Sequence, residues 1–374
     1  MGEGDDAAAD LRETVQAGRG RCTDLSLSYR DWMPPPDLLI GAVTPDLLRA
    51  YHAETTVLGA SLYEVPRAEV AEEGVVILDG VFQSGAQLNV FPVVAEAHHR
   101  AIAARLAGLR RVMVEDPVVL LTGMGHQMYG HWLVDFLPKL FLLHRAGHDL
   151  ARLRYLLPAD TPAFARVWLG LLGIGEDRLV VYEREREVVA CRRLLVPTAL
   201  RFVSRASPLM REARRFLLER AFPRPRWRPG RRAEPRGFRK ILISRSDNAD
   251  TKNRRTLAER AAFEAAALAR GFEQVRPERM SVPEQVALFR SAATILGEYG
   301  SGLHGSLFAP VGTSVISLRD NGLDLGFLQS SLDHALGHAG GYVIGSARSE
   351  DGFFSVAPQD IDFLFDWLDW RGLR

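Results

Sequence analysis

Short runs of branched apolar residues punctuate this chain, and between most of them the apolar positions switch to helical spacing. That alternation is the strongest constraint on the fold. Such a run is too short for a helix but long enough for a buried strand, and a strand–helix–strand succession packs as a parallel sheet covered by helices. The runs at 75–78, 118–121, 155–157, 179–182 and 193–196 predict strands, with helices at 98–109, 129–146 and 162–172. Asp79 and Gly80 read as a turn. Further along, 241–243, 273–275, 293–296 and 314–318 predict strands, and 256–270, 282–291 and 358–370 predict helices. Ser281 with Glu284 forms a capping-box pattern, and Gly271 is a helix stop. Residues 1–60 give weak signals beyond the stiff Pro34, Pro35 and Pro36.

At 374 residues the chain is too long for one ordinary core. The stretch RPRWRPGRRAEPR at 224–236 breaks the alternation with arginine, proline and glycine, as a linker does. The division it predicts is an N-terminal segment at 1–60 with no assigned role, an α/β domain at 61–223, a linker at 224–238, a second α/β domain at 239–350 and a C-terminal helical segment at 351–374. Two such domains are expected to face each other across a cleft.

Composition narrows the function classes. A hydrophobic share of 47% and a charged share of 25% suit a globular protein. A net charge of +1 argues against a general polyanion binder, so nucleic acid is not the expected partner. Cys22 and Cys191 make neither a disulfide framework nor a metal motif, which points to a reducing cytoplasm. The first ten residues lack a secretory pattern, and no run of about 18 apolar residues spans a membrane. Peripheral attachment at the inner face of a membrane stays open, and so does the oligomeric state.

Three segments carry polar residues in patterns that suit chemistry. In GHWLVDFLPKL at 130–140, His131 and Asp135 are four apart and share a helix face. Trp132, Phe136, Leu140 and Leu143 form a separate apolar stripe. Pro138 is expected to disturb the helix beside Asp135, because it cannot donate to Val134. A carboxylate that orients an imidazole makes a general base, though the same pair also serves as a structural hydrogen bond. In the second segment the strand 241–243 delivers Ser244 and Arg245 at its end, followed by Asn253 and Arg255. An arginine there suits a diphosphate, and an exposed basic loop is the plain alternative.

The third segment is GEYGSGLHG at 297–305, a glycine-rich turn after a strand. Such turns cradle phosphate through backbone N–H groups, or use glycine for positive φ. Gly300, Gly302 and Gly305 also match a dinucleotide fingerprint, with Asp320 fifteen residues on. Pro310 and Gly312 leave room for a helix of only about six residues, short for a βαβ crossover. His144 and His148 resemble half a zinc site but lack the other half, and no D-x-D pair stands at a strand end, so no metal is expected.

Together these segments resemble glycosyltransferase family 61, whose members include capsular polysaccharide enzymes and xylosyl- and N-acetylglucosaminyltransferases. The resemblance spans 116–325 and rests on GHWLVDFLPKL, ILISR, EQVALFRSA and ILGEYGSGLHGSLFAPVGTSVISL. It implies a GT-B-like fold, two Rossmann-like α/β domains, and an inverting transfer from a nucleotide sugar to a glycan without cofactor or essential metal. His131 and Asp135 would supply the base and its partner from an acceptor-side domain. The donor-binding set would be Ser244, Arg245, Asn253, Pro277, Glu278, Gly300, Ser301, Gly302 and His304. The final helix would pack back across the cleft. Where many relatives read HGAGLTN, this chain reads YGSGLHG, and Glu298 just before becomes a rival candidate for base or ribose contact. Two competing classes stand beside this one, a non-catalytic glycan- or nucleotide-binding protein and a nicotinamide-dependent oxidoreductase.

Overall fold

A computed structural model of the chain describes residues 9–84, 92–223, 237–245, 255–324 and 326–372. The linker at 224–236 and Asn253 lie outside the described residues. The chain divides into two compact units. One comprises Met1–Arg30, Thr56–Val203 and Leu209–Arg224, and the other Asp31–Thr55, Ser204–Pro208 and Pro225–Arg374.

The first unit is built on a mixed sheet. Its strands Leu179–Tyr182, Arg154–Pro158, Val118–Leu120 and Glu187–Pro197 are successive parallel neighbours, as the alternation predicts. Beyond Glu187–Pro197 the sheet turns antiparallel. Ser61–Ala71 pairs along that strand, and Val75–Leu78 and Val81–Ser84 follow as hairpins. The expectation of a purely parallel sheet is corrected here, and the reason is local. The connections after Ala71 and Leu78 are tight turns, far too short for a parallel crossover. Asp79 and Gly80 have φ of 48° and 82°, the left-handed pair that closes a two-residue hairpin. Ser61–Ala71 escapes the apolar pattern because Glu64, Pro66, Arg67 and Glu69 interrupt it; Pro66 and Arg67 face solvent. Its buried residues Tyr63, Val65, Ala68 and Val70 join Val118, Leu120, Leu156, Val189 and Leu194 in one core. Each large apolar side chain so buried contributes about 1.5–3 kcal/mol.

The second unit carries a six-stranded sheet, wholly parallel, in the order Glu273–Val275, Arg239–Ile243, Ala292–Glu298, Ser314–Arg319, Ala339–Ile344 and Leu38–Gly41. Two of these strands are unexpected. Leu38–Gly41 comes from the weak N-terminal stretch, so part of 1–60 belongs to this sheet. Ala339–Ile344 carries Gly340 and Gly341 after its first residue, which hide it from a propensity reading. The structure supplies their reason: a Cβ on Gly341 would stand 2.7 Å from Ile316 Cδ1 and 2.9 Å from the Leu38 Cβ.

Other expectations are refined. The helix expected at 256–270 begins at Arg260, because Thr256–Leu257 is a short strand paired with Phe353–Phe354. Ser281 and Glu284 do form the capping box, and Gly271 ends its helix at φ 79°. The terminal helix Pro358–Gly372, expected to reach across a cleft, buries Leu364, Phe365 and Leu368 with Leu242, Phe263, Phe272 and Leu296. It is part of this unit's own core.

Candidate active site

The segment around His131 folds as three helical pieces. Tyr129–His131 is α-helical, Trp132–Phe136 is a π-turn and Leu137–Arg145 resumes the α-helix. The Leu137 N–H reaches back five residues to the Trp132 carbonyl. Pro138 has no N–H to offer Val134, so the register opens at the place where the sequence predicts a disturbance. Trp132, Phe136, Leu140 and Leu143 are all buried. They pin the helix, leaving the other face to His131 and Asp135.

Asp135 sits at the centre of this arrangement. His131 Nδ1 lies 2.6 Å from its Oδ2. On the other side Arg201 donates through Nε to Oδ1 at 2.6 Å and through Nη2 to Oδ2 at 2.8 Å. A third Arg201 bond, Nη1 to the Val203 carbonyl at 2.6 Å, fixes the fork. The Asp135 side chain is 3% exposed and that of Arg201 9%, whereas His131 keeps 30% of its own. Burial alone pushes the Asp135 carboxyl up. The Arg201 charge and the bonds from His131 and Arg201 outweigh it and hold the group well below the usual carboxylate range. An ionised carboxylate at 2.6 Å requires a proton on Nδ1. In the neutral imidazole of His131 the lone pair is then on Nε2.

Sequence reasoning missed two neighbours of this pair. Arg201 lies 66 residues beyond Asp135 and no local pattern announces it. Lys139 is 1% exposed, and its Nζ has no hydrogen-bond partner; it lies 5.4 Å over the Phe136 ring. Burial lowers its ammonium to about 8, with the Asp135 charge acting the other way.

The second set of residues gathers at the carboxyl edge of the parallel sheet, where ligands of open α/β sheets bind. Arg239–Ile243 ends into Ser244 and Arg245, Ala292–Glu298 ends into Tyr299 and Gly300, and Glu273–Val275 ends into the Pro277–Arg279 turn. Arg245 donates through Nη1 to the Tyr299 carbonyl at 3.1 Å. Burial lowers its pKa; the Glu298 charge raises it, and the charges of Arg255 and Arg260 lower it further. Gly300 lies directly against it, since a Cβ there would stand 3.2 Å from Arg245 Nη1.

The remaining predicted residues divide. Glu298 is committed: the Leu257 N–H reaches Oε2 at 2.8 Å and Arg260 Nε reaches Oε1 at 2.7 Å. That geometry suits an anchor better than a proton acceptor. Ser244 is buried and its hydroxyl donates to Glu264 Oε1 at 2.8 Å, away from Arg245. His304 is buried too, with Nδ1 3.0 Å from Gln329 Oε1. Pro277 is buried in its turn and Glu278 is exposed. Ser301 opens a 3₁₀ helix, Ser301–Phe308, that replaces the α-helix a dinucleotide fingerprint needs. None of Gly297, Gly300, Gly302 and Gly305 lies in the left-handed region. Their reason is packing: a Cβ on Gly302 would stand 2.9 Å from Ile243 Cγ2, and one on Gly305 2.1 Å from Phe289.

His131 and Asp135 thus belong to the first unit, and Arg245, Glu298, Gly300, Ser301, Gly302 and His304 to the second. Among the described residues no three His, Cys, Asp or Glu side chains are grouped to hold a metal ion. His144, half of the zinc pattern, stacks on Phe216 with ring centroids 4.9 Å apart. Among the described residues no helix is long and apolar enough to cross a membrane.

Residues 129–316 match the model of the family described as Glycosyltransferase 61, a span that opens two residues before His131 and closes within the strand Ser314–Arg319. No curated protein matches the chain.

Proposed function

Because the chain belongs to glycosyltransferase family 61 and is a glycosyltransferase, we propose that it transfers a sugar, with inversion and without a metal ion, from a nucleotide donor to a hydroxyl of a glycan or polysaccharide. His131 is the base. The observation that carries this reading is the His131–Asp135–Arg201 chain. Asp135 is saturated by Arg201 and by His131 Nδ1, so it orients and does not accept the proton. Nε2 of the partly exposed His131 is the basic atom left over.

In the step we propose, Nε2 takes the proton of an acceptor hydroxyl. The oxygen attacks the anomeric carbon from the face opposite the nucleotide. The bond from that carbon to the phosphate oxygen breaks, and the nucleoside diphosphate leaves with the electron pair. Arg245 and the backbone at 300–302 receive that charge, and Arg255 adds to the positive field. Glu298 holds Arg260 and the Leu257 amide in place rather than serving as a second base. The Pro277–Arg279 turn, at the end of the neighbouring strand, is the part we assign to the nucleobase.

The architecture we propose is GT-B, with the first unit serving the acceptor and the second the donor. A polysaccharide of the capsular kind is the acceptor class we favour, on family resemblance. Two free cysteines support a cytoplasmic setting.

The testing experiment is a calorimetric screen of nucleoside diphosphates and nucleotide sugars on the full chain, with and without chelator, followed by turnover assays. Chelator-insensitive binding that is weakened in Arg245→Ala, together with loss of turnover in His131→Gln, is the expected result. Turnover that persists in both variants would overturn the reading.

A further inference from the structure

The imidazole of His131 rests on backbone. Gly125 lies at φ 85°, and a Cβ built on it would stand 2.7 Å from His131 Cδ2 and 2.9 Å from Nε2. Ordinary carbon contacts are about 3.5–4.0 Å. Any side chain at Gly125 therefore invades the ring at the atom that accepts the proton in the reading above. The residue is constrained twice, by its dihedral and by the imidazole above it.

The segment carrying Gly125 is held by groups that the reaction does not use. The Gly125 N–H donates to Glu73 Oε2 at 3.1 Å. His126 is 1% exposed; its Nε2 lies 2.8 Å from Asp160 Oδ1, and its Nδ1 is 3.7 Å from Glu73 Oε1. Asp160 accepts from Gln127 Nε2 at 2.7 Å and from Arg184 Nε at 2.8 Å. The other end of the segment is tied to the catalytic helix itself, since Trp132 Nε1 donates to the His126 carbonyl at 2.6 Å. Two carboxylates thus converge on three residues of loop, and a guanidinium holds one of those carboxylates in place. A connection that only had to turn the chain would need none of them.

We propose that Gly125 is a positioning residue for His131, and that the His126–Asp160–Arg184–Glu73 network is the latch that keeps residues 123–128 seated against the imidazole. This rests on the reading of His131 as the base. The latch sets the ring plane from one side while Asp135 sets it from the edge. Together they fix where Nε2 points before any acceptor arrives. Preorganisation of this kind matters because a misplacement of about 1 Å costs on the order of 100-fold in rate.

The test uses the full chain labelled with ¹⁵N-histidine. Long-range ¹H–¹⁵N spectra report the tautomer and titration of each ring, with His131 assigned by its absence in His131→Gln. Gly125→Ala is expected to move the His131 ring signals and its titration midpoint. The same variant should lower kcat roughly 100-fold with little change in the KM for donor. Asp160→Asn, which weakens the latch from a partly exposed position and leaves the glycine in place, should move the same signals the same way and lower kcat by about 10-fold. Wild-type His131 signals and an unchanged pH–rate profile in both variants would overturn the proposal. If Gly125→Ala does not fold, the Asp160→Asn spectrum decides alone. Failure of the catalytic reading is a separate outcome: His131→Gln would then retain turnover, while a displaced ring in Gly125→Ala would still uphold the positioning claim.

Discussion

The two polar centres of this molecule are built on opposite plans. In the first unit the charges around His131 are closed on themselves. Asp135 is paired on both oxygens, Arg201 spends three bonds inside the unit, and the far nitrogen of one imidazole is left over. In the second unit the balance is open. The guanidiniums of Arg245, Arg255 and Arg260 share the field of Glu298, which is already taken by Arg260 and a backbone amide. Arg245 has a lone carbonyl, that of Tyr299, as its hydrogen-bond acceptor among the described residues. A closed centre holds a group in one protonation state. An open one is destabilised until an anion arrives. The difference is the one that the proposed proton acceptor and the proposed diphosphate site require.

The sharpest way to break this comparison is to empty the closed centre. His131→Gln should lower kcat by about 10²–10⁴-fold, the usual worth of a general base, while leaving calorimetric affinity for nucleoside diphosphate within a factor of two or so. Loss of nucleotide affinity along with kcat would mean that the two centres are not separate in function. Arg201→Gln attacks the same centre through its charge. It takes the guanidinium from both oxygens of the buried Asp135 carboxylate, which should cost about 3–5 kcal/mol of stability in a denaturant titration. The sign of its pH dependence follows from Asp135. The folded pKa is depressed, so the stabilisation is present above the ordinary carboxylate value of 3.8 and is lost as pH falls through the folded value. In Arg201→Gln the folded value rises toward the ordinary one, so that acid loss should be smaller and end at higher pH. A variant with the wild-type acid limb would show that Arg201 is not what holds Asp135 ionised.

How far these centres can be read in the sequence depends on whether their geometry is local. The His131–Asp135 pair is four residues apart on one helix, and even a π-turn between them leaves the contact intact. The parallel half of the first sheet and most of the second are equally legible, because each strand is a compact apolar run. What escapes is whatever depends on distance along the chain. Arg201 reaches Asp135 across 66 residues, and Leu38–Gly41 pairs with Ala339–Ile344 from the far end of the sequence. Ser244 fails for a different reason. It neighbours Arg245 just past the end of the strand, but its hydroxyl goes to Glu264 while Arg245 goes to Tyr299. The glycines at 297–305 read as phosphate-cradling or left-handed; most are there because Ile243 and Phe289 leave no room for a Cβ.

Arg245→Ala tests the open centre. If the excess charge there awaits a diphosphate, its removal should weaken nucleoside diphosphate binding by about 1.5–3 kcal/mol, the worth of bonds to a charged group, or roughly 10–100-fold. Arg245→Lys should recover only part, because a point charge cannot reproduce the fork. The loss should also shrink at high salt. Unchanged affinity in Arg245→Ala at any ionic strength would move the anion site away from the carboxyl edge of this sheet.

Lys139 breaks the contrast from inside: among the described residues its buried ammonium has no hydrogen-bond partner in a centre that is otherwise closed. Its folded pKa, about 8, lies below the ordinary 10.5. A depressed amine binds fewer protons folded than unfolded over that interval, so its penalty is full below about pH 8 and is relieved as pH rises toward 10.5. Lys139→Met replaces it with an apolar chain of similar length over the Phe136 ring. At neutral pH the variant should be as stable as wild type or more so, by about 1–3 kcal/mol. Its advantage should fade across pH 8 to 10.5 in denaturant titrations. A variant less stable than wild type at every pH would mean that the amine has a partner when the protein is at work, and the nearest charge that can serve is Asp135. The first centre would then be closed by two cations on one carboxylate, and the pH–rate profile of Lys139→Met would move with the basicity of His131.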